Sequence, residues 1–168
     1  MTRYKFFMVA ILPGIVLYPI VTHLAISFTD SVGGHIFWRK DCNEVFHRWD
    51  LVEVVPDPED PFLPNSHGQP IRLIKKIACF PGETVLREGL RFWCKGKDTT
   101  YDLGLTKLKT RDGKPIQPFS FTKGERYEFM VPEDTYFLLG KPDPGSYDSR
   151  YFGPVEKERI TGCFKQLF

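Results

Sequence analysis

The sequence predicts a mostly β domain built on antiparallel sheet and preceded by one N-terminal transmembrane helix. Three observations lead there. After Asp30, short runs rich in β-branched and aromatic residues alternate with clusters of Pro, Gly and Asp. No long amphipathic helical pattern interrupts them. Ahead of them, residues 6–28 (FFMVAILPGIVLYPIVTHLAISF) carry no charge at all.

The apolar run comes first. At about 1.5 Å per helical residue it exceeds the roughly 30 Å of a bilayer's hydrocarbon. Pro13 and Pro19 would break a soluble helix but are tolerated in a span. Arg3 and Lys5 stand before it and no acid occurs in residues 1–29, which orients the N-terminus to the cytoplasm and the rest outward. Residues 1–28 are thus expected to be a membrane anchor, with 6–28 in contact with lipid, and 29–168 an extracytoplasmic domain. A cleaved signal ending at Ala25-Ile26-Ser27 is the rival reading. Its run exceeds the ~7–15 apolar residues of such signals, which favours the anchor.

The chain has 168 residues, 42% hydrophobic and 15% aromatic, with 23 basic and 21 acidic side chains. This suffices for one domain with a core and is too apolar for a disordered chain. A net charge of +2 does not point to nucleic acid, and none is expected as a partner. Four cysteines, Cys42, Cys79, Cys94 and Cys163, fit an oxidising compartment with two disulfides, in any of three pairings. Cys42 and His47 lack metal-ligand spacing, so no metal or other cofactor is expected.

The expected strands are 51–55, 71–80, 84–88, 90–94, 127–131, 136–139 and 160–164. Glu88-Gly89 belongs to a tight hairpin turn. Residues 56–69 (PDPEDPFLPNSHGQ) are a loop, and the less periodic 98–119 reads as an insertion with irregular edge structure.

The strand 71–80 (IRLIKKIACF) is the most informative. Alternation puts Ile71, Leu73, Lys75, Ile77 and Cys79 on one face. Lys75 is the only polar residue there, whereas Lys76 shares its face with Arg72. Loss of hydration lowers an amine's pKa, and a neutral lysine can act as a general base. Two other segments add to this. Thr29-Asp30-Ser31-Val32-Gly33-Gly34 follows the apolar run and leaves the Ser31 backbone open, although alone it reads as a linker. In 140–155 (GKPDPGSYDSRYFGPV), Asp148 and Arg150 are two apart and would share a face of an extended segment. His35, His47 and His67 fit no triad motif.

Taken in order, the three segments resemble the type I signal peptidases, membrane-bound serine proteases that use a Ser/Lys dyad. Residues 73–85 (LIKKIACFPGETV) are similar to that family's lysine box, 146–155 (SYDSRYFGPV) to its C-terminal box, and 51–55 to the strand between its serine and lysine boxes. The resemblance implies a β-sheet catalytic domain of signal peptidase type. It implies Ser31 as nucleophile and Lys75 as general base, with Thr29 helping the Ser31 N–H form an oxyanion hole. Ser146 would orient the lysine amine, and Asp148 with Arg150 would support the site as an ion pair.

The sequence departs from the general family at Ser31-Val32-Gly33-Gly34, where Ser-Met-x-Pro is usual, and at Gly140-Lys141-Pro142, where Gly-Asp-Asn is usual. The pattern Thr-x-Ser-Val-x-x-x-Ile-Phe-Trp is more similar to the conjugative-transfer subgroup, though Gly33 replaces a proline common even there. That subgroup implies a precursor substrate, the pilin, and a bacterial inner-membrane protein with a periplasmic catalytic domain. A housekeeping peptidase with broad preprotein substrates and a non-catalytic tethered β domain acting in pilus assembly are the alternatives.

Overall fold

A computed structural model describes residues 18, 21–27, 31–42, 45–57, 59–60, 62–63, 71–120, 126–142 and 144–168. Its described strands are β1 (Leu24–Ile26), β2 (Ile36–Lys40), β3 (Leu51–Val54), β4 (Leu73–Cys79), β5 (Thr84–Glu88), β6 (Arg91–Lys95), β7 (Thr100–Leu105), β8 (Arg126–Met130), β9 (Thr135–Leu139), β10 (Val155–Glu156) and β11 (Ile160–Gln166). They form a seven-stranded sheet in the order β1-β2-β11-β3-β4-β9-β10 and a four-stranded sheet in the order β7-β6-β5-β8. Every recorded pairing of named strands is antiparallel.

The seven expected runs all lie in strands, with ends moved by at most two residues. β5 and β6 pair from Glu88↔Arg91 back to Thr84↔Lys95, so Gly89-Leu90 is a two-residue turn. Gly89 has φ +58°, where glycine carries no Cβ penalty.

Four strands were outside the expected set: β1, β2, β7 and β10. β7 falls inside the segment read as an irregular insertion and occupies the edge beside β6. β1 falls inside the 6–28 run. There Val21–His23 are helical, and Leu24–Ile26 then pair with Trp38, Phe37 and Ile36 of β2. A short uncharged segment takes strand geometry where a sheet edge offers it a ladder. Most of the 6–28 run, with Arg3 and Lys5, lies outside the described residues; among those described, no helix is long and apolar enough to cross a membrane.

β4 is packed on both faces. Ile77 joins Val52, Val54, Leu138, Val155 and Cys163 in one buried cluster. Ala78 and Cys79 instead join Phe137 and Leu139 against Val85, Phe92, Cys94 and Leu103, which seals one sheet to the other. Strict alternation had put Cys79 on the face of Lys75 and Ile77. A register shift between Ile77 and Cys79 breaks that period, as a bulge does, and delivers both Ala78 and Cys79 to the inter-sheet core.

The cysteines pair as Cys42–Cys163 and Cys79–Cys94. The first fastens the end of β2's outgoing segment to β11. The second joins β4 to β6 across the two sheets. They close loops with sequence separations of 121 and 15 residues. Chain entropy makes the longer loop the more stabilising, at about 4–5 against about 3 kcal/mol. Replacing Cys42 and Cys163 together by Ser should therefore lower the urea midpoint more than replacing Cys79 and Cys94. Peptide mapping without reductant should recover these two pairs.

Candidate active site

Lys75 sits in the middle of β4, opposite Val52 of β3, and is only 2% exposed. Its Nζ donates to Oγ of Ser146 at 3.2 Å. Burial is the main influence on the amine and drives its pKa down; Asp148 pulls it up and Arg150 pushes it down again. Because Asp148 and Arg150 act in opposite senses, the loss of hydration prevails and holds the amine's pKa below its ordinary value.

Ser146, Asp148 and Arg150 come from the loop after β9. Asp148 and Arg150 are both fully buried and form a bidentate pair, Nε to Oδ1 at 2.8 Å and Nη2 to Oδ2 at 2.8 Å. They do not share the face of an extended segment, as their spacing alone implied. Asp148 is the N-cap of the short helix Ser149–Phe152, and its Oδ1 accepts from the Arg150 N–H at 3.2 Å. A carboxylate at that position satisfies an orphan amide of the first turn. Arg150 Nη1 donates to the carbonyls of Leu103 and Leu105 at 3.0 and 2.9 Å, and Nη2 donates also to that of Lys141 at 2.9 Å. One side chain thereby joins β7 of the small sheet to the loop beside Lys75.

Ser31 is half-buried, and its carbonyl accepts from the Lys141 N–H at 2.5 Å. Val32, next to it, is buried with Phe37, Leu51 and Phe164. Gly140 lies where these parts meet. A Cβ there would overlap Oγ of Ser146 and stand 2.6 Å from the Ser31 carbonyl oxygen, so only glycine lets the Ser31 loop approach Ser146. The Gly140 N–H donates to Oδ2 of Asp148 at 2.9 Å. The structure thus gathers Lys75, Ser146, Asp148, Arg150 and the backbone of Ser31 into one site. Thr29 lies outside the described residues.

Sequence reasoning missed two members of this cluster. Gly140 was noted only as part of a motif departure, yet a glycine directly after an apolar strand is a recognisable sign of close approach. Ser149, whose Oγ accepts from the Leu138 N–H at 2.8 Å and so ties the helix to β9, has no such sign in the sequence. Beside Ser146 a cleft of about 260 Å³ runs between Phe62, Ile116, Tyr147 and Tyr151. Among the described residues, the group with metal-ligand proximity is Cys79, Glu83 and Cys94, but its two sulfurs are joined in a disulfide and offer no thiolate.

The chain belongs to the family described as "Signal peptidase, peptidase S26", whose model matches residues 5–168. It is similar to a probable conjugal transfer protein TraF of Sinorhizobium fredii, 40% identical over 60 residues, or 36% of this chain and 28% of that one. It is also similar to signal peptidase I V of Bacillus subtilis, 31% identical over 120 residues, or 71% of this chain and 64% of the relative. It therefore spans less than two thirds of either relative. A solved signal peptidase I of Enterococcus faecalis V583 is 21% identical, with 73% of this chain and 98% of that one covered at a TM-score of 0.39.

Two outcomes test the electrostatics. Asp148→Asn should destabilise the chain by about 3–5 kcal/mol in urea unfolding, because Arg150 would keep its buried charge without a counter-charge. Unfolded lysine holds its proton up to its ordinary value of 10.5, whereas folded Lys75 releases it at lower pH. Between those limits the unfolded state binds more protons, so stability rises with pH. Measured against Lys75→Met, the natural chain should gain stability as pH rises from neutral towards 10.5; a pH-independent difference would contradict the assignment.

Proposed function

We propose that this chain is a membrane-bound serine endopeptidase that removes signal peptides from exported precursors by a Ser31/Lys75 dyad. The observation that carries the reading is the buried, hydration-starved Lys75 amine on Ser146, with the Ser31 backbone drawn to the same point by Lys141 and Gly140. Neutral Lys75 takes the Ser31 proton as Ser31 attacks the scissile carbonyl. The lysine then gives that proton to the departing amine of the mature chain as the C–N bond breaks, leaving an acyl-enzyme that water, activated by the neutral amine, hydrolyses. The Ser31 N–H and Thr29 stabilise the oxyanion, a contribution that is typically ~100–1,000-fold in rate for one donor. Ser146 orients the amine, and the Asp148–Arg150 pair holds the loop that carries Ser146.

The preferred substrate is a conjugative pilin precursor. Support for this comes from the likeness to the conjugal transfer protein and from the Thr-x-Ser-Val pattern. In this reading residues 1–28 hold the chain in the bacterial inner membrane with the N-terminus cytoplasmic, and 29–168 work in the periplasm. Leu24–Ile26 belong to the sheet as β1, so the anchoring part of residues 1–28 in this reading is the stretch ahead of Leu24. A housekeeping role on broad preproteins is the second reading, favoured by the longer match to a signal peptidase I of Bacillus subtilis.

Ser31→Ala and Lys75→Ala should each abolish precursor processing, while Lys76→Ala should retain much of it, all read by gel shift of a leader-bearing precursor. Processing by Ser31→Ala would overturn the mechanism. Mass spectrometry of pilin from a deletion strain separates the substrate readings: unprocessed pilin with other exported proteins mature supports the first.

A further inference from the structure

Gly33 and Gly34 follow the proposed nucleophile, and a free Gly-Gly pair would leave Ser31 poorly placed. Gly33 has φ +87°, a value closed to proline, whose ring holds φ near −65°. The contacts that can order these glycines therefore come from outside the loop. Nε2 of Gln166, at the end of β11, donates to the Gly33 carbonyl at 3.1 Å. A Cβ on Gly34 would stand 2.7 Å from Cδ of Gln166 and 2.9 Å from the Phe168 carbonyl oxygen, so the 166–168 segment lies directly against the glycines. The Phe168 carbonyl accepts from the N–H groups of His35 and Ile36 at 3.0 and 3.2 Å, and the Leu167 N–H donates to Ile36 at 2.9 Å.

We propose that Gln166 is a positioning residue for the reaction, holding the Ser31 loop through the Gly33 carbonyl. The inference rests on Ser31 being the nucleophile. The loop is gripped at both ends. Lys141 holds the Ser31 carbonyl and packing holds Val32 on one side, while Gln166 and the 167–168 backbone hold Gly33 to Ile36 on the other. Without the amide, Gly33 regains both signs of φ and the Ser31 hydroxyl spreads over more positions relative to the base. That loss falls on the reacting geometry, because attack requires a narrow range of approach.

The test uses the full chain in detergent micelles and a fluorogenic peptide with an Ala-x-Ala cleavage site, the small-residue pattern of exported precursors. Gln166→Met keeps the length of the side chain and removes the donor; Gln166→Glu keeps its shape and leaves only acceptors. Both should lower kcat about fivefold, the scale of one neutral hydrogen bond, with KM, thermal midpoint and the acid limb of the pH profile unchanged. Gly34→Ala should also lower kcat, and Gly34→Ala with Gln166→Ala should lose less than the two separate losses combined, as contacting sites do. An unchanged kcat in Gln166→Met overturns the proposal, as does a loss of kcat that tracks a loss of thermal midpoint. Ser31→Ala runs beside them: if it still cleaves the peptide, the nucleophile reading fails and the positioning role with it.

Discussion

The ion pair of Asp148 and Arg150 sits with no access to water, and the walls of the site are joined through it. A buried charge pair is stable only when its remaining donors and acceptors are met. Here they are: the guanidinium reaches three backbone carbonyls besides its carboxylate, and the carboxylate accepts from the Gly140 and Arg150 amides. Those partners belong to β7, to the turn after β9 and to the short helix. The pair adds to the packing of Leu103 in the inter-sheet core as what assembles them, and such a network makes that corner of the molecule stiff.

The stiffness bears directly on Lys75. An amine deep in a protein would relax towards water or draw a carboxylate to itself if the surroundings allowed. Asp148 is close enough to raise the lysine's pKa, but its oxygens are already committed to Arg150, whose own charge acts the other way. The pair presents little net field, and burial is left to set the protonation state. Ser146 then offers the amine a neutral partner rather than an ionic one. The same loop thus supplies an orienting hydroxyl and withholds a counter-ion.

The serine side is built differently. Ser31 lies on a loop with two consecutive glycines, and what orders it is contributed by residues more than a hundred positions later, Lys141 on one side and the 166–168 segment on the other. Gly140 and Gly34 each mark where a Cβ would collide with these partners. The glycines read as flexibility along the chain and act as clearance in space.

Much of the fold was legible in local pattern. Period-two alternation and turn residues located seven strands, and a single lysine among apolar neighbours singled out Lys75, since these signals depend on a few adjacent residues. Strands β1, β2, β7 and β10 were not legible, because each takes its geometry from the strand it pairs with rather than from its own composition. The bulge at Ile77–Cys79 and the choice among cysteine pairings depend in the same way on which strands lie side by side. Asp148 and Arg150 were visible as partners but not as a helix cap, which needs the chain to turn at Ser149. What the sequence determined by itself was the chemistry available, a buried lysine, a serine in a glycine loop and an acid–base pair. Only the tertiary structure decided that they meet, because their meeting depends on contacts across the sheets that no local periodicity encodes.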